Sequence, residues 1–270
     1  MTFFGWAIGL GLLQGLTEFL PVSSSGHLAI AQHFMPGFQQ PGLLFDVSLH
    51  VGTLAAVCVY FRHDLAALLL GRPHEAGSLS LKERLRLLVL MVAATAVTGT
   101  FGMLLKDRVE AAFASLAAVG MGLIVTGVLL LAGAFLARGA VTAGKVERNT
   151  GLLDALYVGL MQGLAVMPGI SRSGSTISAS LARGLDPAWA ARFSFLLSIP
   201  AVAGAAVLEC RECGHAVGGQ WPAYVAGSLV AFVSGLLAIK LMMRLVRRGN
   251  LNPFAYYCFL MGALVLWAGR

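Results

Sequence analysis

The chain has 270 residues, of which 58% are hydrophobic and only 11% charged, and its mean hydropathy is +0.82. Soluble domains carry roughly 25% charged residues, so the polar side chains here are too few to cover a water-facing globule and the apolar excess must face lipid. A soluble enzyme, a disordered tail and a disulfide-built secreted scaffold are excluded, and the net charge of +7 lies in short runs between apolar segments, where it sets topology rather than contacting nucleic acid.

In chain order, a short apolar run over 3–16 has no basic segment before it, so no cleavable signal peptide is expected. It leads into Pro21-Val-Ser-Ser-Ser-Gly26-His27. Stretches of spanning length follow at 43–61, 87–105 and 111–137, then a second short run at 152–167 leads into Pro168-Gly-Ile-Ser-Arg172-Ser-Gly174-Ser. Three more spans are predicted at 193–208, 221–239 and 251–269. Each span is close to the ~20 residues a bilayer requires, whereas the two Pro, Gly and Ser clusters break a helix at membrane depth. The 33 glycines point to close helix packing.

The basic residues fix how the broken regions run. If the face reached after residue 61 is inside, alternation of the spans places fourteen Lys and Arg on that face only if 150–190 starts and finishes there. Lys106, Arg108, Arg211 and Arg270 fall outside, and both termini are external. Residues 3–40 and 152–185 are then re-entrant hairpins. A shift of 148 residues without a gap aligns Gln14-Gly15-Leu16 with Gln162-Gly163-Leu164, Ser23 with Ser171, Ser25 with Ser173, Gly26 with Gly174 and Phe45 with Phe193. The predicted fold is an all-α polytopic membrane protein, a single domain over 1–270. It comprises two inverted-topology repeats (1–137 and 150–270), each a re-entrant hairpin plus three spans, with the broken tips meeting near the midplane.

Cys58 and Cys258 lie in apolar runs and read as packing residues. Cys210 and Cys213, with His215, make half a zinc site at most, since no second pair appears; a local disulfide or free thiols fits better.

Arg172 is the one basic residue that the topology leaves without a solvent-facing position. An intramembrane arginine costs at least ~2.5 kcal/mol and marks a functional site by default. Its planar fork suits phosphate, with hydroxyls and peptide N–H groups of the following helix as further donors. The plainer reading is that Arg172 pairs with Glu18 or Asp46 only to hold the hairpins together. Gln14 and Glu18 share a helical face before Pro21, and His27 follows Ser23-Ser24-Ser25-Gly26 on the far side of the break. Carboxylate, imidazole, hydroxyls and arginine together form a set for phosphoryl transfer. The nucleophile is left open among His27, Ser24 activated by His27, and a water activated by Glu18. Asp46, His50, Asp154 and Glu209, near span ends, are expected to be solvated or snorkelling. Thr53, Thr95, Thr98 and Ser194 are expected in helix-to-helix hydrogen bonds.

On these residues the chain resembles the undecaprenyl-diphosphate phosphatases, or bacitracin-resistance proteins. Gln14-Gly-Leu-Thr-Glu18 is similar to their Glu/Gln-x-x-x-Glu signature, and Pro168 to Thr176 meets Pro-Gly-x-Ser-Arg-Ser-x-x-Thr in full. The likeness spans essentially the whole chain. It implies hydrolysis of the C55 lipid carrier diphosphate to the monophosphate for peptidoglycan synthesis, in the bacterial inner membrane. The active site it implies has Glu18, His27, Arg172 and Ser24 as catalytic residues, and Ser25, Ser171, Ser173, Gly174, Thr176 and Gln14 as substrate contacts. Mg²⁺ or Ca²⁺ on Glu18, brought with the diphosphate, is the expected cofactor. Gln14, where many members carry a second glutamate, weakens any two-carboxylate metal site. Expected partners are the C55 diphosphate, membrane lipid, bacitracin acting through the substrate, and a second copy of the chain. A second lipid-phosphatase family, acid-phosphatase-like, needs a histidine and an aspartate where this chain has Ser178 and Ala182, and is rejected. The alternative from another class is a transporter or flippase of a phosphorylated polyprenyl lipid, since inverted repeats with broken helices also build transporters.

Overall fold

Polar caps outside the apolar runs, at Ser80 and Asp186, start two of the helices earlier than hydropathy alone predicts. The computed structural model describes residues 3–35, 43–72, 79–139, 144–212, 220–247 and 250–269. Within them the chain forms α1 (Phe3–Phe19), α2 (Ser24–Phe34), α3 (Leu43–Tyr60), α4 (Arg62–Leu70), α5 (Leu81–Leu104) and α6 (Lys106–Phe113). Next come α7 (Leu116–Gly139), α8 (Leu152–Leu164), α9 (Arg172–Ala182), α10 (Pro187–Glu212), α11 (Trp221–Arg247) and α12 (Asn252–Ala268). The all-α, polytopic reading holds. α5, α7, α10 and α11 are each long and apolar enough to cross a bilayer, α3 and α4 form a pair bent by 72°, and α8 and α12 are shorter apolar helices. Residues 36–40, Cys213, His215, Arg248 and Arg270 lie outside the described residues, as do the side chains of Arg138, Glu209, Cys210 and Arg211.

Four of the differences from the hydropathy reading have a local reason. α5 starts at Leu81 rather than 87 because Ser80 and Glu83 form a reciprocal capping box. The span predicted from 111 starts at Leu116, since charged Lys106–Phe113 folds as the separate amphipathic α6. α10 starts at Pro187, where Asp186 Oδ1 accepts from the backbone of Ala188 and Trp189. The linker after residue 61 contains α4, whose last carbonyls accept from Arg84 (Nε to Leu68 O 2.9 Å, Nη2 to Leu69 O 2.5 Å), a cation completing a helix C-terminus.

Packing follows the repeat. α1 lies along α11, and α8, its counterpart, lies along α5. Gly11 and Gly15 on α1, and Gly159 and Gly163 exactly one repeat later on α8, let the pairs approach. A methyl group at the first two would meet Gly227 and Ala231 of α11, and one at the second two would meet Ala94 and Phe101 of α5. On α11 the other face carries Val225, Leu229, Val233 and Leu237 four residues apart, all exposed, an apolar stripe suited to lipid.

The two hairpins, α1–α2 and α8–α9, turn at 20–23 and 165–171. Ser23 and Gly169 take positive φ there (70° and 84°), and the tips touch: a Cβ on Gly26 would come within 3.0 Å of Gly169 Cα, and one on Gly174 within 3.4 Å of Pro21 Cβ. The open end of the second hairpin is tied shut. Lys145 N donates to Gly184 O (2.8 Å) and Asp186 N to Lys145 O (2.9 Å), and buried Asp154 pairs with Lys145 and Arg183. Asp154 is therefore not solvated as its span-end position suggests.

Candidate active site

Both hairpin tips place a helix N-terminus at one cavity. Ser23 caps α2 by accepting from Gly26 N (3.2 Å), and Ser171 caps α9 by accepting from Gly174 N (3.0 Å). The capped ends carry Ser24 and Arg172 at equivalent positions of the repeat. Between them, Glu18 from the last turn of α1 is buried and accepts from both: Ser24 Oγ reaches Oε2 at 2.5 Å and Arg172 Nη2 reaches Oε1 at 2.5 Å. Gln14, one turn back, adds Nε2 to Oε2 at 3.0 Å. Arg172 thus pairs with Glu18 and not with Asp46, whose carboxylate accepts from Gln32 (3.1 Å). The ion pair leaves Arg172 Nη1 buried with no hydrogen-bond partner among the described residues. A buried guanidinium N–H without an acceptor is costly, and an anion in the cavity would satisfy it.

The cavity encloses about 430 Å³. Glu18, Ser23, Ser24, Ser25, Ser171 and Arg172 form its polar end, and Gly99, Gly102 and Met103 of α5 with Ala201, Val202, Ala205 and Leu208 of α10 form apolar walls. A second cavity of about 340 Å³, beside Asp64, Arg148 and Trp189, lacks any such arrangement of carboxylate, serine and arginine.

Several expected residues stand elsewhere. The convergence of His27 on Arg172 does not occur. Its Nδ1–H donates to Ser23 O (2.8 Å), Tyr257 O–H donates to its Nε2 (2.7 Å), and its ring stacks on Tyr257, away from the cavity lining. Both ring nitrogens are occupied by structural bonds. Thr176 bonds to Arg172 O and Ser194 Oγ inside the α9–α10 contact, Ser173 bonds to Leu20 O, and Gly174 belongs to the cap; none of the three lines the cavity. Ser25 and Ser171 do line it, and Gln14 is buried behind Glu18. Thr98 and Ser194 make the expected bonds between helices, whereas Thr53 and Thr95 bond within their own. His50 and Gln162 are among the lining residues that the sequence does not assign to the site. His50 Nε2 stands 4.0 Å from Glu18 Oε2, and Gln162 bonds to Thr98 (3.1 Å). For Gln162 a signal existed, since the repeat pairs it with Gln14.

Metal fits only as a companion of an anion. Among the described residues no three His, Cys, Asp or Glu gather, and both Glu18 oxygens are already engaged. Gln14 Oε1, which has no hydrogen-bond partner among the described residues, belongs to the amide behind Glu18 and not to the cavity lining.

Compared with known proteins, the family described as Bacitracin resistance protein BacA matches residues 7–264. The chain belongs to that family. The undecaprenyl-diphosphatase of Syntrophotalea carbinolica is 51% identical over 260 residues, covering 96% of each chain. Those of Desulfosudis oleivorans and Desulforapulum autotrophicum are 48% and 42% identical, again over 96% of each chain. Membership extends across both hairpins, so the Glu18, Ser24 and Arg172 cluster lies wholly within the region the family shares.

Proposed function

We infer that the chain is a membrane phosphatase that hydrolyses undecaprenyl diphosphate to undecaprenyl phosphate and phosphate, with Ser24 as nucleophile. The carrying observation is the chain Ser24 Oγ–H to Glu18 to Arg172, which sets a hydroxyl, its base and an unpaired cationic donor at one cavity. Glu18 accepts the Ser24 proton as Oγ bonds to the terminal phosphorus. The bridging P–O bond breaks, undecaprenyl phosphate departs, and the proton passes to a departing phosphate oxygen. Water then bonds to the phosphorus, giving one proton to Glu18; the Oγ–P bond breaks and that proton returns to Oγ. Arg172 Nη1 and the N-termini of α2 and α9 face the charge on the transferring group. The apolar walls of α5 and α10 suit the prenyl chain. His27, held by Ser23 O and Tyr257, supports the turn rather than attacking.

Glu18 is the residue that would hold a Mg²⁺ or Ca²⁺ carried in by the diphosphate, where the ion would neutralise phosphate oxygens, and Gln14 stands behind it, outside the cavity lining. The reading further places the protein in the bacterial inner membrane with both termini external, supported by fourteen basic residues on one face against four on the other. Bacitracin acts through the lipid substrate, and the chain pairs as a homodimer; cross-linking in native membranes tests the latter. The decisive experiment is phosphate release from undecaprenyl diphosphate by purified protein in detergent, where transport has no meaning. Absence of release would leave the flippase alternative standing in place of the hydrolase.

A further inference from the structure

Gln162 lines the cavity from α8 and is only 2% exposed. Its neighbour fixes which way its amide faces. Thr98 Oγ1 has a single hydrogen, directed at Ala94 O (3.0 Å) or Gly159 O (3.1 Å) across the α5–α8 contact. Toward Gln162, 3.1 Å away, Thr98 can therefore only accept, and Gln162 must present its NH₂ group. Oε1 then faces away from Thr98, buried and without a hydrogen-bond partner among the described residues. Its repeat mate Gln14 has the same amide arrangement, but spends Nε2 on Glu18 and sits behind the carboxylate, outside the lining.

A buried acceptor of this kind is satisfied only by a donor. Ionised phosphate oxygens are acceptors and cannot serve. What remains in a phosphatase cavity is an O–H group. We propose that Gln162 is a further catalytic residue, whose Oε1 accepts a hydrogen bond from an O–H of the reacting system. That O–H is either the water that hydrolyses phospho-Ser24 or the P–OH of a singly protonated terminal phosphate. In the first case the water gives one hydrogen to Glu18, as above, and points its other at Gln162, keeping that hydrogen as it becomes part of the released phosphate. The inference rests on the hydrolase reading and adds to it the means by which the opposite hairpin orients a reactant.

Gln162→Met keeps length and removes the acceptor; Thr98→Val keeps shape and releases the amide to turn. Both are assayed as full-length protein in detergent with undecaprenyl diphosphate, alongside the parent. If the O–H is the water, Gln162→Met lowers kcat by about tenfold or more, the value of one neutral hydrogen bond, with KM falling in proportion so that kcat/KM is kept, and labelled phospho-Ser24 accumulating. If it is P–OH, KM rises by about as much and no phosphoenzyme accumulates. Either result places the acceptor on a reacting O–H, and Thr98→Val follows in the same direction with a smaller change. A folded Gln162→Met with kcat, KM and phosphoenzyme level all near the parent's would overturn it. Should that variant not fold, unchanged kinetics in Thr98→Val decide against it equally. A parent protein that releases no phosphate sinks the hydrolase reading instead, so the two failures are distinct.

Discussion

The two hairpins share a backbone and divide the chemistry. Ser23 and Ser171 cap alike, Gly26 and Gly174 meet the opposite tip alike, and Gly11/Gly15 and Gly159/Gly163 seat their helices alike. Where the repeat faces the cavity, the side chains part. Glu18 corresponds to Val166 and Ser24 to Arg172. On the proposed mechanism the first hairpin supplies nucleophile and base, and the second supplies the cation. Duplication thus explains the scaffold, and function lies in the positions where the duplicate halves differ. Neither half is sufficient, because Glu18 has its full set of partners only when both tips meet.

The sharpest break of this division is at Ser24. Ser24→Ala should reduce phosphate release by about 10⁴-fold or more, since members of a coupled nucleophile and base unit fail together. Rapid quench with labelled diphosphate should find an acid-stable phosphoserine in the parent. An acid-labile phosphohistidine, or parent-like turnover in Ser24→Ala, would return His27 or a directly attacking water to the mechanism.

On the second hairpin, Arg172→Lys keeps the charge and loses the fork. One ammonium cannot hold Glu18 and a phosphate oxygen as two separate guanidinium nitrogens do. We expect a loss of at least ~2 kcal/mol of transition-state stabilisation, roughly thirtyfold in kcat/KM. Near-normal turnover would reduce Arg172 to a link between hairpins, the plainer of the two sequence readings.

His27 tests the boundary between chemistry and scaffold. Tyr257→Phe removes one of its two ring hydrogen bonds and leaves its shape. A merely supporting histidine predicts a stability loss of about 1 kcal/mol, read as a lowered thermal midpoint, with activity down only a few-fold. A loss as deep as that of Ser24→Ala would place His27 in the reaction.

What the sequence made legible is what composition and repetition determine. Arg172 stands out because every other basic residue finds a face, and the hairpins because Pro21 and Pro168 interrupt short apolar runs within one residue of each other in the repeat. Contacts between elements distant along the chain stayed hidden. His27 faces Tyr257, 230 residues away, and nothing in Ser23-Ser24-Ser25-Gly26-His27 announces that. His50 reads as a span-end residue until α3 packs beside α1 and brings its ring toward Glu18. The early start of α5 is different in kind: Ser80 and Glu83 are a readable cap, overlooked because hydropathy begins only after Arg86.

The smallest expected effect concerns the metal and the symmetric pair Gln14 and Gln162. A Mg²⁺ ion keeps several waters and is held by one or two carboxylates plus substrate phosphates. With Gln14 neutral and outside the lining, the cavity offers the single carboxylate Glu18, already shared by Ser24 and Arg172. The cation should therefore arrive with the diphosphate, and substrate-free protein should bind little Mg²⁺ by calorimetry. Gln14→Glu adds a carboxylate on the Glu18 face and should lower the cation concentration for half-activity by a few-fold. The gain is limited because the new charge also repels Glu18 and forfeits the Gln14 Nε2 hydrogen bond. Gln162→Glu stands on the other hairpin, where the native side chain bonds to Thr98 and not to Glu18, and should leave the cation requirement nearly unchanged. Equal shifts from both substitutions would show that the cavity responds to net charge alone, and full activity of the parent in excess chelator would remove metal from the mechanism.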